Sequence, residues 1–418
     1  MKFLIIDQPI NNRGDESAHR AFVNRLSLAY PDAKIQVLFY EKLPVEVDEM
    51  RVVRPNVEYI NIPTKHRLFV PHRMIKLWMM LGLPFMLYTS PTVRKMLPFY
   101  QEADYIICAP GGINLGGFQD WIHLGLLHLA RKMNKKLLYF ARSIGPFPTR
   151  TFLNRRFRKR GLELLRYFSF LSLRDEKSQA LAKELNIPYV PTIDSAFLYY
   201  TPETIPHSFA EQIGTDDYLV FVPNSLAWHY DFKQYTFDEI RKFWVTLANR
   251  LLKEYPDLKI AMLPQSVHHG YLASLPDGYK LFSRIREESD SPDRIVVLEE
   301  QYGSNIQQNI ISKAKFLVGA RYHSVIFSIN QNCPFVSLCY EHKMKGVTDM
   351  LGIEDVNILE LFDGTPLDKE RMDRFVDRVV DMTHRVYSDI KNGERAREIA
   401  NEGFAALTSF LDKDMKQQ

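Results

Sequence analysis

Cysteine is scarce in this chain: three residues in 418, Cys108, Cys333 and Cys339. Each sits in an apolar run and none has the spacing of a metal knuckle, so they read as reduced core thiols rather than a disulfide framework. Long apolar runs are lacking too. The nearest, LWMMLGLPFMLY at 77–88, falls short of the roughly 20 residues a spanning helix needs and contains Pro84, so no membrane span is expected. The N-terminal stretch MKFLIIDQP has no extended apolar region followed by a small-residue cleavage site. A cytoplasmic protein is the expectation. Neither sign of charge dominates, and a net charge of +4 speaks against the large basic surface of a dedicated nucleic-acid binder. Internal repeats and low-complexity segments are also missing.

What is present is a globular composition, 46% hydrophobic and 25% charged, on a chain too long for one hydrophobic core. Short apolar runs recur, each followed by a polar or glycine-bearing turn and a helical pattern. FLIID, AKIQVLFY, YIICAP, KLLYFA, YFSFLSL and YVPTIDSAF do so in the first half; YLVFVP, KIAMLP, RIVVLE, KFLVGA and FVSLCY do so in the second. Strands alternating with helices, without period-2 polarity, predict parallel sheets buried on both faces. TPETIPHSFAEQIGTDD, at 201–217, has linker composition.

The fold class is therefore α/β, with two Rossmann-like doubly wound domains facing across a cleft. The first domain is expected at 1–205 and the second at 206–388. A C-terminal helix at 389–418 is expected to pack back on the first domain.

In open α/β sheets ligands bind beyond the carboxyl ends of the strands, and polar clusters fall there in this sequence. QPINNRGDES, with Asn12 and Asp15, follows FLIID. GGINLGG, with Gly112 and Asn114, follows YIICAP. RSIGPF follows KLLYFA, and RDEKS, with Arg174, follows FLSL. GGINLGG is either a strand-to-helix turn or a phosphate cradle; it lacks G-x-G-x-x-G spacing and a downstream acid. In RDEKS, Asp175 suits a helix cap while Arg174 is left without that explanation. His268 and His269 diverge as sequence neighbours and have no third ligand nearby, so no metal site is expected. Glu299 and Glu300 read as caps and solvated charges.

The sharpest cluster is ARYHS, at 320–324. With a helix starting at about Ser324, Arg321, His323 and the first-turn backbone N–H groups converge on one spot that favours an anion. Arginine adds a planar fork for carboxylate or phosphate, and Lys343 supplies another cation. The plain alternative is an internal ion pair of Arg321 with Glu341 or Asp349.

These segments together resemble the polysaccharide pyruvyl transferases. The resemblance rests on NNRGDES, APGGINLGG, RSIGPF, LRDEKS, PTIDSAF and above all VGARYHSVIFSINQNCPFVSLCYEHKMKGVTDMLG. It implies a fold like that of GT-B glycosyltransferases. It also implies transfer of pyruvate from phosphoenolpyruvate to a sugar of a surface polysaccharide or its lipid-linked precursor, as a ketal, with phosphate released. Phosphoenolpyruvate would be a co-substrate, and no cofactor is implied.

Arg174, Arg321, His323, Ser324 and Lys343 would hold the donor on the second domain's side. His323 and Arg321 would be catalytic, His323 as acid/base: a helix N-terminus disfavours its imidazolium form and a bound phosphate favours it. Asn12, Asp15, Gly112 and Asn114 would meet the acceptor, Asp15 as base. One departure is ARSIGPF, where Ala141 and Arg142 stand in place of the family's usual Gly-Gln pair.

The basic residues are unevenly spread. Lys65, His66, Arg67, His72, Arg73 and Lys76 precede an apolar patch, and six arginines and a lysine lie between Arg150 and Arg166. Such segments suit an anionic membrane surface, or else one is a buried helix and the other a solvated face. Two other functions fit the architecture: a nucleotide-sugar glycosyltransferase or epimerase, and a non-catalytic glycan-binding relative.

Overall fold

The computed structural model describes residues 1–8, 12–39, 51–62, 71–82, 89–117, 119–226, 230–266, 278–299, 302–340, 342–386 and 390–417. His268, His269, Glu300, Glu341 and residues 63–70 fall outside them.

The chain divides into two compact units. The first holds residues 1–10, 15–199 and 398–418; the second holds 11–14 and 200–397. In the first, β1 (Lys2–Ile6), β2 (Lys34–Phe39), β3 (Val57–Asn61), β4 (Tyr105–Cys108), β5 (Gly111–Gly116), β6 (Lys136–Gly145), β7 (Phe170–Leu173) and β8 (Val190–Pro191) form a sheet in the order β3-β2-β1-β4-β6-β7-β8, with β5 on β6. In the second, β9 (Tyr218–Val222), β10 (Lys259–Met262), β11 (Ile295–Val297), β12 (Leu317–Gly319), β13 (Phe335–Cys339) and β14 (Val356–Asn357) run β11-β10-β9-β12-β13-β14. Neighbouring strands of both sheets pair in parallel. Both orders are those of doubly wound nucleotide-binding sheets.

Every residue of β4, β7 and β9 is buried, which requires both faces of each sheet to be covered. This is why these strands read as unbroken apolar runs. In the second unit Trp244 anchors the packing, ring centroids 5.9 Å from Phe221 and 4.6 Å from Phe243. Its indole N–H donates to the carbonyl of Asn224 at 2.8 Å, so a large apolar body is buried with its one polar atom satisfied.

GGINLGG is not the strand-to-helix turn its sequence suggests. It is β5, paired with β6 across a register shift. Gly116 is needed there because a Cβ would stand 2.3 Å from the backbone nitrogen of Gly145. The C-terminal helix spans Ile390–Met415; within the first unit its Asp414 bonds Tyr105 and Lys136, and Asn401 accepts from Arg25.

Candidate functional site

In the second unit the strand order reverses between β9 and β12, the position where such sheets bind ligands. The chain leaves β12 through Ala320 and Arg321 into the helix Tyr322–Gln331. That helix begins two residues earlier than the sequence pattern placed it. Arg321 occupies the N-cap in extended conformation and makes no side-chain cap hydrogen bond, a position where Ser, Thr, Asn or Asp would satisfy a backbone N–H. Ser324 instead donates its hydroxyl to the Arg321 carbonyl at 2.6 Å. Just beyond β9, Asn224 donates to the carbonyl of Ala320 at 3.2 Å and fixes this junction.

His323 lies in the first helical turn. Its ring meets Tyr322 edge-on, centroids 4.8 Å apart, and Lys343 holds its ammonium 5.7 Å from the Tyr322 ring centre. The fold thus collects Arg321, His323, Ser324 and Lys343 at the positive end of one helix dipole. Asp349, one carboxylate offered by the ion-pair alternative, bonds Lys345 at 3.0 Å.

The same unit receives a short segment from far away in sequence. Asn12 bridges Ser266, the Arg13 N–H donates to the carbonyl of Gln265 at 2.8 Å, and Asn12 Oδ1 accepts from the Gly14 N–H at 2.7 Å. Gly14 then lies against the imidazole of His323. Asn12 therefore belongs with the cationic cluster, whereas Asp15, Gly112, Asn114 and Arg174 belong to the first unit.

In the first unit the order reverses between β1 and β4. Asp7 follows β1 with φ +61, a left-handed conformation that a non-glycine residue adopts at a cost. Its carboxylate bonds Nδ1 of His123, which is wholly buried. The geometry follows from one cap: Asp120 accepts from the N–H groups of Ile122 and His123 at 2.9 and 3.1 Å, starting the helix Trp121–Lys132 and setting His123 in its first turn.

Asn114 donates to Asp120 at 3.1 Å and accepts from Arg142 at 2.6 Å; Arg142 also bonds the carbonyl of Ala109. Burial opposes the charge on Arg142, but Cys108, Tyr139, Asp7 and Asp15 around it outweigh that and raise its pKa. Burial likewise pushes the Cys108 thiol up to about 12.

Asp7, Cys108 and His123 bring a carboxylate oxygen, a sulfur and an imidazole nitrogen within 4.8 Å of one another, donors that suit zinc. The carboxylate is nevertheless engaged by His123, and buried Arg142 balances its charge, so a divalent ion would add uncompensated positive charge. What this cluster does present is an oriented carboxylate at a strand end. The sequence reading missed Asp7 and His123: His123 lies in the apolar helical pattern WIHLGLLHLARK, 116 residues from its partner.

Arg174 is buried with the carboxylate of Asp194, which is also buried, and donates from Nε to Ser143 at 3.2 Å. Asp175 caps the following helix by accepting from the Ser178 N–H at 2.9 Å.

The polysaccharide pyruvyl transferase family model matches residues 12–342, from the segment that carries Gly14 to beyond the Arg321 and His323 cluster. The chain belongs to that family. This transferase family sets the reaction class of the chain, while solved structures define the architecture. A UDP-N-acetylglucosamine 2-epimerase from Neisseria meningitidis bound to UDP-GlcNAc superposes with TM-score 0.57 at 10% identity, covering 99% of this chain and 100% of that one. The enzyme of the same activity from Methanocaldococcus jannaschii, in complex with UDP-GlcNAc and UDP, gives 0.54 at 14%, covering 96% and 100%. Trehalose-6-phosphate synthase from Escherichia coli, bound with UDP-2-fluoro glucose, gives 0.56 at 12%, covering 100% and 99%. At these identities the likeness establishes the GT-B-type fold and nothing finer about this member of the pyruvyl transferase family.

Proposed function

We propose that this pyruvyl transferase family member transfers pyruvate from phosphoenolpyruvate to two hydroxyls of a glycan sugar, forming a ketal and releasing phosphate. The observation that carries the reading is the placement of Arg321 and His323 at one helix start, at the strand-order reversal of the second sheet, with Lys343 one ring away.

A substrate with a carboxylate and a phosphate fits an arginine fork, an ammonium and a helix N-terminus. C3 of the enol gains a proton, C2 becomes oxocarbenium-like and one sugar hydroxyl bonds to it. The C2–O bond to phosphate breaks and the second hydroxyl closes the ring. Of the two hydroxyl protons, one balances the new methyl group and the other leaves with phosphate. His323 supplies the proton to C3, and Arg321, Ser324 and Lys343 hold the donor. Arg174 enters only through family resemblance, since its guanidinium is shared with Asp194.

On the acceptor side Asp15, Gly112 and Asn114 remain assigned to the sugar, while Asn12, which the fold places in the same unit as His323, is reassigned to the donor end. Asp7 joins them as the best-oriented carboxylate for taking a hydroxyl proton.

Thermal shift with phosphoenolpyruvate and with UDP tests this reading. At about 100-fold excess over its dissociation constant, phosphoenolpyruvate should stabilise the protein by about 2.7 kcal/mol. Arg321→Lys should abolish most of that response, because a point charge does not replace a planar fork. Stabilisation by UDP with none by phosphoenolpyruvate would transfer the protein to the nucleotide-sugar enzymes.

A further inference from the structure

The helix Phe152–Leu165 turns Phe157, Gly161, Leu164 and Leu165 into the first unit's core, Phe157 meeting Trp121 edge-on at 5.1 Å. Its other side is unusual for a solvated helix. Phe152 is 65% exposed and Leu153 39% exposed. Phe152, Arg155, Arg156 and Lys159 stand at positions i, i+3, i+4 and i+7, on one face.

The end of the helix Pro71–Leu81 adjoins this surface. Arg156 donates from Nε to the carbonyl of Met79 at 3.0 Å, and Leu81, two residues on, is 56% exposed. In the earlier turns of that helix Ile75, Trp78 and Met79 are buried in the core, and Leu77 and Met80 are half-buried. Arg73 and Lys76 on its outer side are exposed.

Residues 150–166 carry seven basic side chains and one acid, Glu163, and that acid is held by Arg131 and Arg160 at 2.9 and 3.1 Å. Arg155, Arg158 and Lys159 are exposed. Isolated exposed apolar residues need no explanation. Three of them beside a basic cluster whose nearest carboxylate is already engaged do require one.

We propose that this face docks on an anionic lipid bilayer. Phe152, Leu153 and Leu81 enter the headgroup boundary, and the surrounding arginines and lysines pair with anionic headgroups. A solvated basic face would not need the exposed phenylalanine, and a protein partner would require acidic surface that the bilayer supplies continuously. No helix among the described residues is long and apolar enough to cross a membrane, so the contact is peripheral. It is independent of the donor chemistry proposed above and fails or holds separately from it.

Co-sedimentation of the full chain decides the matter. One set of vesicles is phosphatidylcholine alone, and the other is equal parts phosphatidylcholine and phosphatidylglycerol. The protein should pellet with the second set and not the first, less so as salt rises. Arg155→Glu with Arg158→Glu should weaken partitioning by at least about tenfold. Phe152→Ser with Leu153→Ser should weaken it by a similar order, with a cooperative thermal melt showing that the fold is kept.

Absence of pelleting with phosphatidylglycerol vesicles at low salt overturns the proposal, as does equal pelleting with phosphatidylcholine alone. Binding that the serine pair leaves intact would define a soluble-polyanion site and overturn the bilayer assignment.

Discussion

Gly14 presses its α-carbon against the imidazole of His323. A Cβ built on Gly14 would stand 1.8 Å from both Cγ and Nδ1 of the ring and 2.4 Å from its Cβ. These residues are more than three hundred positions apart in sequence, yet they belong to the same compact unit. The backbone at Gly14 forms a wall that fixes the ring's orientation, and it can do so only without a side chain.

Gly14→Ala should therefore displace the ring rather than unfold the protein. Overpacking of this kind costs about 1–3 kcal/mol, here directed at the imidazole to which the proposed mechanism assigns proton transfer. The expected outcome is at least about a tenfold loss in apparent phosphoenolpyruvate affinity by thermal-shift titration, a magnitude set by one such increment of free energy. A wild-type titration curve for Gly14→Ala would show that the ring's position does not matter to the donor.

The Arg174–Asp194 pair should behave as structure. Asp194→Asn leaves a buried guanidinium uncompensated, and breaking such a pair typically costs about 3–5 kcal/mol. Arg174→Met combined with Asp194→Leu should recover much of that loss, because removing both charges also removes their desolvation penalty. Urea denaturation of the single and double variants measures the difference. A double variant as unstable as Asp194→Asn would contradict this account.

Two buried histidines contribute to the loss of stability on the acid side. Burial lowers His128 to about 4, and burial with Arg20 nearby lowers His19 to about 3. Unfolded, both titrate near the ordinary value of about 6.5, so below that pH the unfolded chain binds protons that the folded chain refuses. Stability then falls as pH drops from about 6.5 toward 4, by at most about 1.4 kcal/mol per pH unit for each residue. His128 donates from Nε2 to the carbonyl of Arg160 at 3.1 Å, a bond that a glutamine amide can replace. In His128→Gln, melting temperature against pH should lose one proton's share of its slope, and an unaltered slope would rule His128 out as a contributor.

Strand runs such as YIICAP and KFLVGA were legible because parallel strands buried on both faces show no polar alternation. The short β14 and the glycine-rich β5 were not, since two residues or a row of glycines carry no apolar signature. ARYHS could be placed at a strand-to-helix junction from its neighbours alone. Its helix start was misjudged because an arginine is an unusual cap.

The Asp7–His123 and Arg174–Asp194 pairs escaped notice for another reason. Each links segments whose proximity is created by the strand order, which no local window encodes. Membership of Asn12 in the second unit escaped in the same way, because its hydrogen bonds go to Gln265 and Ser266 rather than to sequence neighbours.

The return of residues 11–14 to the second unit bears on how members of this family could exchange parts. Swapping only the contiguous half at 200–397 between two relatives would bring in a foreign imidazole without the tetrapeptide shaped to back it. A functional chimera would have to inherit both pieces from one parent, so the tetrapeptide and the distant helix would have to travel together despite lying more than three hundred residues apart in the sequence.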